Sequence, residues 1–313
     1  MTDKAHERHL NMLETALGPD LMALLNDDKV TDILLNPDGI VVAERLLERK
    51  SITPIRIDPM AAENIIKLVA SLKDEVANSI SPIVASELPF HGSRFQGVLP
   101  PVVDNPTFAI RKRASIVFSL DDYVASGALS LTLKKQLEAA VINRKNIMVA
   151  GGTGSGKTTF MNALLNALKD THDRVVAIED LPELQINVSD LVTLNTTPTV
   201  SMGMLVKMTL RMRPDRIMIG EVRDGAALDL LKAWNTGHPG GICTIHANSA
   251  EATLYRLEDL LQEVVVNVPR SLISQAVDLV VFLQRDKAGK HQIKTVSEVV
   301  VRKEGQFILK DLR

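Results

Sequence analysis

The first part of the chain mixes helical and strand periodicity. Leucines recur at helical spacing between Leu10 and Leu25, which predicts a helix over residues 4–26 with Gly18-Pro19 in its middle. The other apolar runs are short, and they predict a helix at 61–72 and strands at 31–36, at 41–44 and within 94–113. Residues 1–120 therefore predict a small mixed α+β domain, and residues 121–130 predict a linker.

The second part of the chain, residues 131–313, alternates helical segments with short apolar runs. These runs predict strands at 147–150, 175–178, 217–219 and 242–245. Such alternation is typical of an α/β domain with a parallel sheet and crossover helices. Ligands of these sheets lie beyond the carboxyl ends of the strands. Because each of the four strands is followed by polar residues, we expect one ligand site at that edge.

The strongest chemical signal follows the first of these strands. The segment Gly151-Gly152-Thr153-Gly154-Ser155-Gly156-Lys157-Thr158 fits the pattern G-x-x-x-x-G-K-[ST], and Thr159 continues it into a predicted helix. Glycines let successive N–H groups wrap a polyphosphate, and the helix start adds partial positive charge. We expect Lys157 to reach the β- and γ-phosphates from a solvated cleft and Thr158 to ligate Mg²⁺. The segment predicts a site for ATP and Mg²⁺.

Acidic residues and a histidine follow the next three strands. Glu179 and Glu183 come after the second strand, Glu221 after the third and His246 after the fourth. Phosphoryl transfer needs a carboxylate for Mg²⁺ or its waters and another to orient the attacking water. Carboxylates at strand ends are costly unless they are exposed or paired, which favours a cleft. The histidines do not have the spacing of metal ligands and no cysteine cluster accompanies them, which argues against zinc.

Composition restricts the possible partners. The 313 residues carry a net charge of −2 with 3% aromatics, so neither a basic field nor a stacking surface favours nucleic acid. The single cysteine, Cys243, cannot form an internal disulfide. No signal-peptide core and no apolar run of about 20 residues is present, so we expect a cytoplasmic protein. An Asn-Lys-x-Asp segment is missing, which argues against a GTP switch.

Four motifs in this order resemble those of the type II/IV secretion ATPase family. After the glycine-rich loop come Val-Val-Ala-Ile-Glu-Asp-Leu-Pro-Glu-Leu at 175–184, Leu-Arg-Met-Arg-Pro-Asp-Arg-Ile-Met-Ile-Gly-Glu-Val-Arg-Asp at 210–224 and Thr-Gly-His-Pro-Gly-Gly-Ile-Cys-Thr-Ile-His-Ala-Asn-Ser at 236–249. They are similar to the family's Walker A, aspartate box, Walker B and histidine box. The segment 232–241, the short N-terminal region and the single cysteine favour the conjugal-transfer branch, with the pilus-retraction branch as an alternative.

The resemblance implies a function and roles for particular residues. It implies a hexameric ring in which the nucleotide lies between the RecA-like domain, residues 131–313, and the N-terminal domain. Such a ring would power conjugative or type IV secretion through channel proteins of the inner membrane. A RecA-type nucleic-acid translocase or helicase is the alternative. Glu179 and Glu183 would be aspartate-box acids, and Glu221 the Walker B glutamate near Mg²⁺ and water. The remaining implied nucleotide contacts are His246 at the γ-phosphate, His238 at the start of the same box, and Arg94 with Arg111 or Arg113 from the N-terminal domain.

Overall fold

The protein divides into two compact units, residues 1–116 and 117–313. The computed structural model describes residues 3–46, 48, 50–90, 92–113, 117–286, 291–303 and 306–313. Each unit is a sheet covered by helices, and the predicted class, an α/β domain preceded by a smaller α+β domain, is confirmed. Among the described helices, none has both the length and the apolar character needed to cross a bilayer.

The first unit is a six-stranded antiparallel sheet in the order β3-β2-β1-β6-β5-β4. Its elements are α1 (Asp3–Asn26), β1 (Val30–Leu35), β2 (Ile40–Arg45), β3 (Ser51–Arg56), α2 (Pro59–Ser71), β4 (Ile83–Glu87), β5 (Arg94–Val98) and β6 (Thr107–Arg111). The strands β3 and β4 escaped the sequence prediction. Both are edge strands with several exposed positions, so their apolar pattern is weak.

The long first helix bends where the sequence predicts an interruption. Gly18 has φ 69° and ψ 171°, outside helical geometry, and Pro19 follows it. This backbone region favours glycine because other residues carry a Cβ atom that clashes there. The buried leucines on both sides of the bend, Leu13, Leu17, Leu21 and Leu25, still face the core of the unit. The bend lets one apolar stripe follow the twisted sheet.

The second unit is an eight-stranded sheet in the order β14-β13-β12-β7-β11-β10-β8-β9. Its strands are β7 (Ile147–Gly151), β8 (Arg174–Glu179), β9 (Asp190–Asn195), β10 (Arg216–Val222), β11 (Ile242–His246), β12 (Leu279–Arg285), β13 (His291–Lys303) and β14 (Gln306–Asp311). The six from β12 to β9 in this order are parallel, and β13 and β14 are antiparallel. The four strands predicted from the sequence lie at its centre, because they are apolar on both faces.

Helices cover both faces of the second sheet. They are α3 (Leu120–Ala125), α4 (Leu131–Ile142), α5 (Lys157–Leu165), α6 (Met202–Thr209), α7 (Ala226–Asn235), α8 (Ala250–Gln262) and α9 (Arg270–Ala276). One core forms around α4 and α5, and a second around α6, α7 and α8. The two cores share the central strands, which is why all five residues of β7 are buried.

The segment predicted as a linker, 121–130, belongs to the second unit. It contains most of α3, which starts with a capping box between Ser119 and Asp122. Leu120 and Leu129 are buried in the core that contains α4 and α5. The polar residues between these two leucines resemble a linker in sequence, but the two anchors fix the segment. The boundary between the units therefore lies at residues 116 and 117 rather than at 120.

A buried arginine ties together the amino-terminal ends of the central strands. Arg216 opens β10 and is only 1% exposed. Its Nε donates to Asp173 Oδ2 at 2.5 Å, and its Nη1 donates to the carbonyl oxygens of Val141 at 2.6 Å and Gly240 at 3.3 Å. These acceptors belong to the end of α4 and to the segments before β8 and β11. One side chain therefore connects three chain segments at this edge of the sheet.

We predict that Arg216→Ala destabilises the second unit. The substitution leaves Asp173 with Arg144, 2.5 Å away, as its remaining arginine partner and removes a donor from two buried carbonyl groups. Losing one partner of a buried ion pair costs up to about 3–5 kcal/mol. The free energy of unfolding should be measured by urea titration. The control is Lys207→Ala, whose exposed pair with Asp229 at 3.1 Å should be worth about 0–1 kcal/mol. Equal losses in the two variants would contradict this role of Arg216.

Candidate functional site

The glycine-rich loop connects β7 to α5 with the backbone geometry of an anion-binding turn. Gly154 has φ 67° and Gly156 has φ 88°, both in the left-handed region. A methyl group at Gly151 would lie 2.5 Å from the carbonyl oxygen of Leu283 on β12, so the close approach of the strands requires glycine there. Gly156 is the N-cap of α5 and has no side chain to cap it. The first N–H groups of the helix are thus suited to bind an anion.

Lys157 is buried within this loop. Its side chain is 8% exposed, and Nζ donates to the carbonyl oxygen of Gly152 at 3.2 Å. The same Nζ lies 3.8 Å from Glu221 Oε1 and 3.4 Å from His246 Nδ1. The expectation that Lys157 points into a solvated cleft is incorrect, because the loop folds around the lysine. The structure does bring together the ends of β7, β10 and β11, as the sequence predicts.

Glu221 lies among three nitrogen groups at the end of β10. Its Oε1 is 2.9 Å from His246 Nε2, and its Oε2 accepts from Arg223 Nε at 2.7 Å and Arg223 Nη2 at 2.5 Å. Arg223 Nη1 is also 3.7 Å from Asp180 Oδ2. Arg223 was not predicted from the sequence, although it lies two residues after Glu221, just beyond the end of β10. Arg223 links the acid of β10 to the acid that follows β8.

The environment of His246 disfavours the charged form of its imidazole. Burial lowers the pKa of its imidazole below the usual value of 6.5, and the charge of Glu221 opposes that shift. The positive charges of Lys157 and Arg223 lower the pKa further. A neutral imidazole beside two cations retains both a donor and an acceptor nitrogen, so it can hydrogen-bond without adding a third positive charge.

Glu179 stabilises the backbone of the loop that follows β8. It is 2% exposed, and its Oε1 accepts hydrogen bonds from the N–H groups of Glu183 at 2.9 Å and Leu184 at 2.8 Å. Asn162 of α5 secures the same loop, because it donates to the carbonyl oxygen of Glu183 at 3.1 Å and accepts from Gln185 N–H at 2.9 Å. The Glu179 carboxylate thus fixes the loop that carries Glu183 to the helix of the phosphate loop.

Several predicted site residues lie elsewhere. His238 precedes β11 by four residues, so it lies at the amino-terminal edge of the sheet, whereas His246 ends the strand. The structure therefore does not bring His238 to the glycine-rich loop of its own chain. In the first unit, Arg94 and Arg111 are register partners on β5 and β6, Arg111 Nε is 3.4 Å from Asp32 Oδ1, and Arg113 is exposed. Their roles toward the nucleotide stay predictions.

Two residues that sequence analysis missed contact the other side of the loop. Arg285 ends β12, and His291 begins β13. A methyl group at Gly154 would lie 3.6 Å from Arg285 Cζ, and one at Gly156 would lie 3.1 Å from His291 Nδ1. Arg285 Nε donates to His291 Nε2 at 2.8 Å. No local motif marks this pair, because β12 pairs with β7 across some 130 residues of chain.

The donor set at the loop suits Mg²⁺ carried by a nucleotide. Thr158 offers a hydroxyl oxygen in the first turn of α5, and Glu221 offers a carboxylate close to Lys157. Mg²⁺ commonly keeps one or two protein oxygens, with phosphate oxygens and water completing its shell. Within the described ranges, no group of three His, Cys, Asp or Glu residues is placed to hold a metal by itself. The phosphates would therefore supply most of the ligands.

Comparisons with known proteins find a matching family model and similar relatives. Residues 83–306 match the family described as Type II/IV secretion system protein. The conjugal transfer protein TrbB of Rhizobium radiobacter is 45% identical over 92% of this chain and 89% of its own length. The type IV secretion system protein VirB11 of Bartonella quintana is 30% identical over 90% of this chain and 91% of its own.

Solved structures share the fold. One is the crystal structure of the VirB11 ATPase from the Brucella suis type IV secretion system in complex with sulphate. Its sequence is 29% identical, the match spans 95% of this chain and 97% of the VirB11 chain, and the TM-score is 0.50. Another is the Legionella pneumophila ATPase DotB, which matches 91% of this chain and 81% of the DotB chain with a TM-score of 0.65. Its sequence is only 20% identical, so this likeness shows the fold alone.

The charges around His246 predict how its pKa responds to substitution. In the wild-type chain the imidazole should titrate below pH 6.5, since burial and two cations disfavour its charged form. Glu221→Gln should lower the pKa further by removing the anion that raises it, and Lys157→Ala should raise it. Nuclear magnetic resonance of the imidazole across pH gives the midpoints, with exposed Glu263→Gln as the unshifted control. A higher midpoint in Glu221→Gln would contradict the contact.

Proposed function

The chain belongs to the type II/IV secretion system protein family, and from that premise we propose that it hydrolyses ATP to power a conjugative or type IV secretion apparatus. The likeness to a conjugal transfer protein over nine-tenths of both chains supports the conjugative assignment. One observation carries the enzymatic part of the proposal. Lys157 at the start of α5, Glu221 on β10 and His246 at the end of β11 converge within 4 Å of one another beside the glycine-rich loop.

The loop accounts for nucleotide binding. Gly154 and Gly156 shape a turn whose N–H groups bind the β-phosphate, and the start of α5 adds partial positive charge. Lys157 Nζ now holds the Gly152 carbonyl oxygen, a weak partner that a phosphate oxygen replaces. Bound Mg²⁺, held by Thr158 and Glu221, would neutralise charge on the β- and γ-phosphates. The buried ammonium group therefore serves as a preformed cation for the triphosphate.

Hydrolysis uses the acid and the histidine opposite the loop. Glu221 is the carboxylate that orients a water molecule toward the γ-phosphorus and accepts its proton, while the bond to the β–γ bridging oxygen breaks. Arg223 contacts Glu221 Oε2 and fixes the orientation of the carboxylate. His246, neutral and 2.9 Å from Glu221, is placed to hydrogen-bond the γ-phosphate. Glu179 acts through the backbone of the 183–184 segment, which leaves Glu183 as the acid of that loop for the reaction.

We further propose a homo-hexameric ring in the cytoplasm that meets inner-membrane channel proteins. The second unit, 117–313, would be the ATPase domain and the first the N-terminal domain. The resemblance to conjugal transfer and VirB11 proteins supports the role in secretion that such a ring would serve. The pilus retraction motor PilT is only 19% identical and shows the fold alone. A nucleic-acid translocase is disfavoured by the net charge of −2 and by the 3% aromatic content.

Two substitutions test the assignment of the site. Lys157→Ala should lower ATP affinity and remove hydrolysis, and the fold should persist because Glu221 keeps its contacts with His246 and Arg223. Glu221→Gln keeps the shape but loses the proton acceptor, so ATP should still bind while kcat falls roughly 10²–10⁴-fold. Phosphate release and nucleotide titration measure the two effects, with circular dichroism as the folding check.

The alternatives give different results in the same assays. Normal turnover in folded Lys157→Ala protein would refute the nucleotide site. Loss of binding with unchanged turnover per bound ATP in Glu221→Gln would limit Glu221 to holding metal. Strong stimulation of hydrolysis by single-stranded DNA that disappears at high salt would favour the translocase over the secretion ATPase.

The role implied for Arg111 is tested by kinetics. If its guanidinium stabilises the charge that develops on the γ-phosphate, Arg111→Ala should bind ADP as the wild type does and hydrolyse ATP about 10³–10⁵-fold more slowly. Arg111→Lys should restore little, because an ammonium group lacks the planar fork. Arg56→Ala, another exposed arginine on a strand of the first unit, is the matched control. Unchanged kcat in Arg111→Ala would show that Arg111 does not stabilise the γ-phosphate, and would leave Arg113 as the only candidate named for that role.

A further inference from the structure

The contact between Arg285 and the loop has a defined orientation. A methyl carbon built on Gly154 would lie 3.6 Å from Cζ of Arg285, 3.8 Å from Nη2 and 3.9 Å from Nη1. In an edge-on approach the nitrogens would be nearer than the central carbon. Because Cζ is the nearest of the three atoms, the guanidinium plane lies face-on over Gly154. The opposite face of the guanidinium is directed away from the loop.

His291 holds this plane in place. Arg285 Nε donates to His291 Nε2 at 2.8 Å, so that ring nitrogen acts as the acceptor. In the neutral imidazole the proton is then on Nδ1, the atom nearest to the Cβ position of Gly156. A face-on contact and a hydrogen bond together restrict the Arg285 side chain, which is half-buried. The guanidinium is therefore presented in one orientation beside the start of α5.

Strand pairing places this pair opposite the proposed catalytic groups. Gly151 at the end of β7 is the register partner of His246 on β11 and also of Leu283 on β12. Arg285 lies two residues beyond Leu283. Lys157, Glu221 and His246 meet on the β11 side of the loop, while Arg285 and His291 contact it on the β12 side. A nucleotide with its γ-phosphate at His246 has its nucleoside end on the other side.

From this arrangement we propose that Arg285, held by His291, forms the base-binding part of the nucleotide site, with its guanidinium stacked on the purine ring. This inference rests on the nucleotide site of the proposed function. A planar guanidinium stacks on aromatic rings, whereas the point charge of a lysine does not reproduce that contact. In the proposed site the loop N–H groups and Lys157 bind the phosphates. The planar guanidinium of Arg285, on the β12 side of the loop, therefore suits the base.

The test compares a nucleotide with its phosphates alone. Calorimetry should be performed with ADP and with pyrophosphate, both with Mg²⁺, on the full chain. Arg285→Ala should weaken ADP binding roughly 3- to 30-fold and leave pyrophosphate binding unchanged, since cation–π contacts have about this strength. Arg285→Lys should resemble Arg285→Ala. The charge-matched control is Arg56→Ala, which removes an exposed arginine on β3 of the first unit and should leave the binding of both ligands unchanged.

A double substitution tests the positioning role of His291. His291→Ala should weaken ADP binding in the wild-type background and add nothing to Arg285→Ala, because it acts through Arg285. Equal weakening of ADP and pyrophosphate in Arg285→Ala, or recovery in Arg285→Lys, would show a phosphate contact and overturn base stacking. Unchanged ADP binding in folded Arg285→Ala protein would overturn the inference alone. Failure of the wild-type chain to bind either ligand would overturn the proposed function itself.

Discussion

The buried charge of Lys157 is the constraint on which the rest of the site depends. An ammonium group that is 8% exposed is costly unless polar partners replace water. The Gly152 carbonyl, Glu221 and His246 provide those partners, and each reaches Lys157 only if three parallel strands end at the same level. Glu221 also needs polar partners because its carboxylate is only 14% exposed, and Arg223 is one of them. The position of the Lys157 ammonium group is therefore set by contacts from three separate elements.

The opposite edge of the sheet determines this alignment. Asn146, just before β7, accepts from the N–H groups of Gly240 and Gly241 before β11 and donates to the Ala276 carbonyl before β12. These three strands carry the loop, His246 and Arg285 at their other ends. Arg216 adds β10, the strand of Glu221, to the same network. Since β7 keeps a continuous register with β11 and β12, fixing the starts of these three strands also fixes the relative height of their ends. The register of β10 against β11 shifts by one residue between Ile219 and Glu221.

The sequence predicts this site where its signals are local. The four central strands are contiguous patterns, and the structure confirms them. The glycine-rich loop lies between β7 and α5 as expected, and its role toward phosphates stays a prediction. Arg223, Arg285 and His291 were missed because their roles depend on strand pairing. His238 lies eight residues from His246 in one motif, but β11 separates them, and a strand carries its two ends to opposite edges of a sheet. The polar segment predicted as a linker lies between Leu120 and Leu129, which are both buried in the core of the second unit.

The charge balance around Glu221 explains why a histidine suits the end of β11. Lys157 and Arg223 already supply two positive charges next to one carboxylate, and Asp180 is paired with Arg223. A third fixed cation at position 246 would repel both and would compete for Glu221. A neutral imidazole avoids that repulsion and still offers a hydrogen bond.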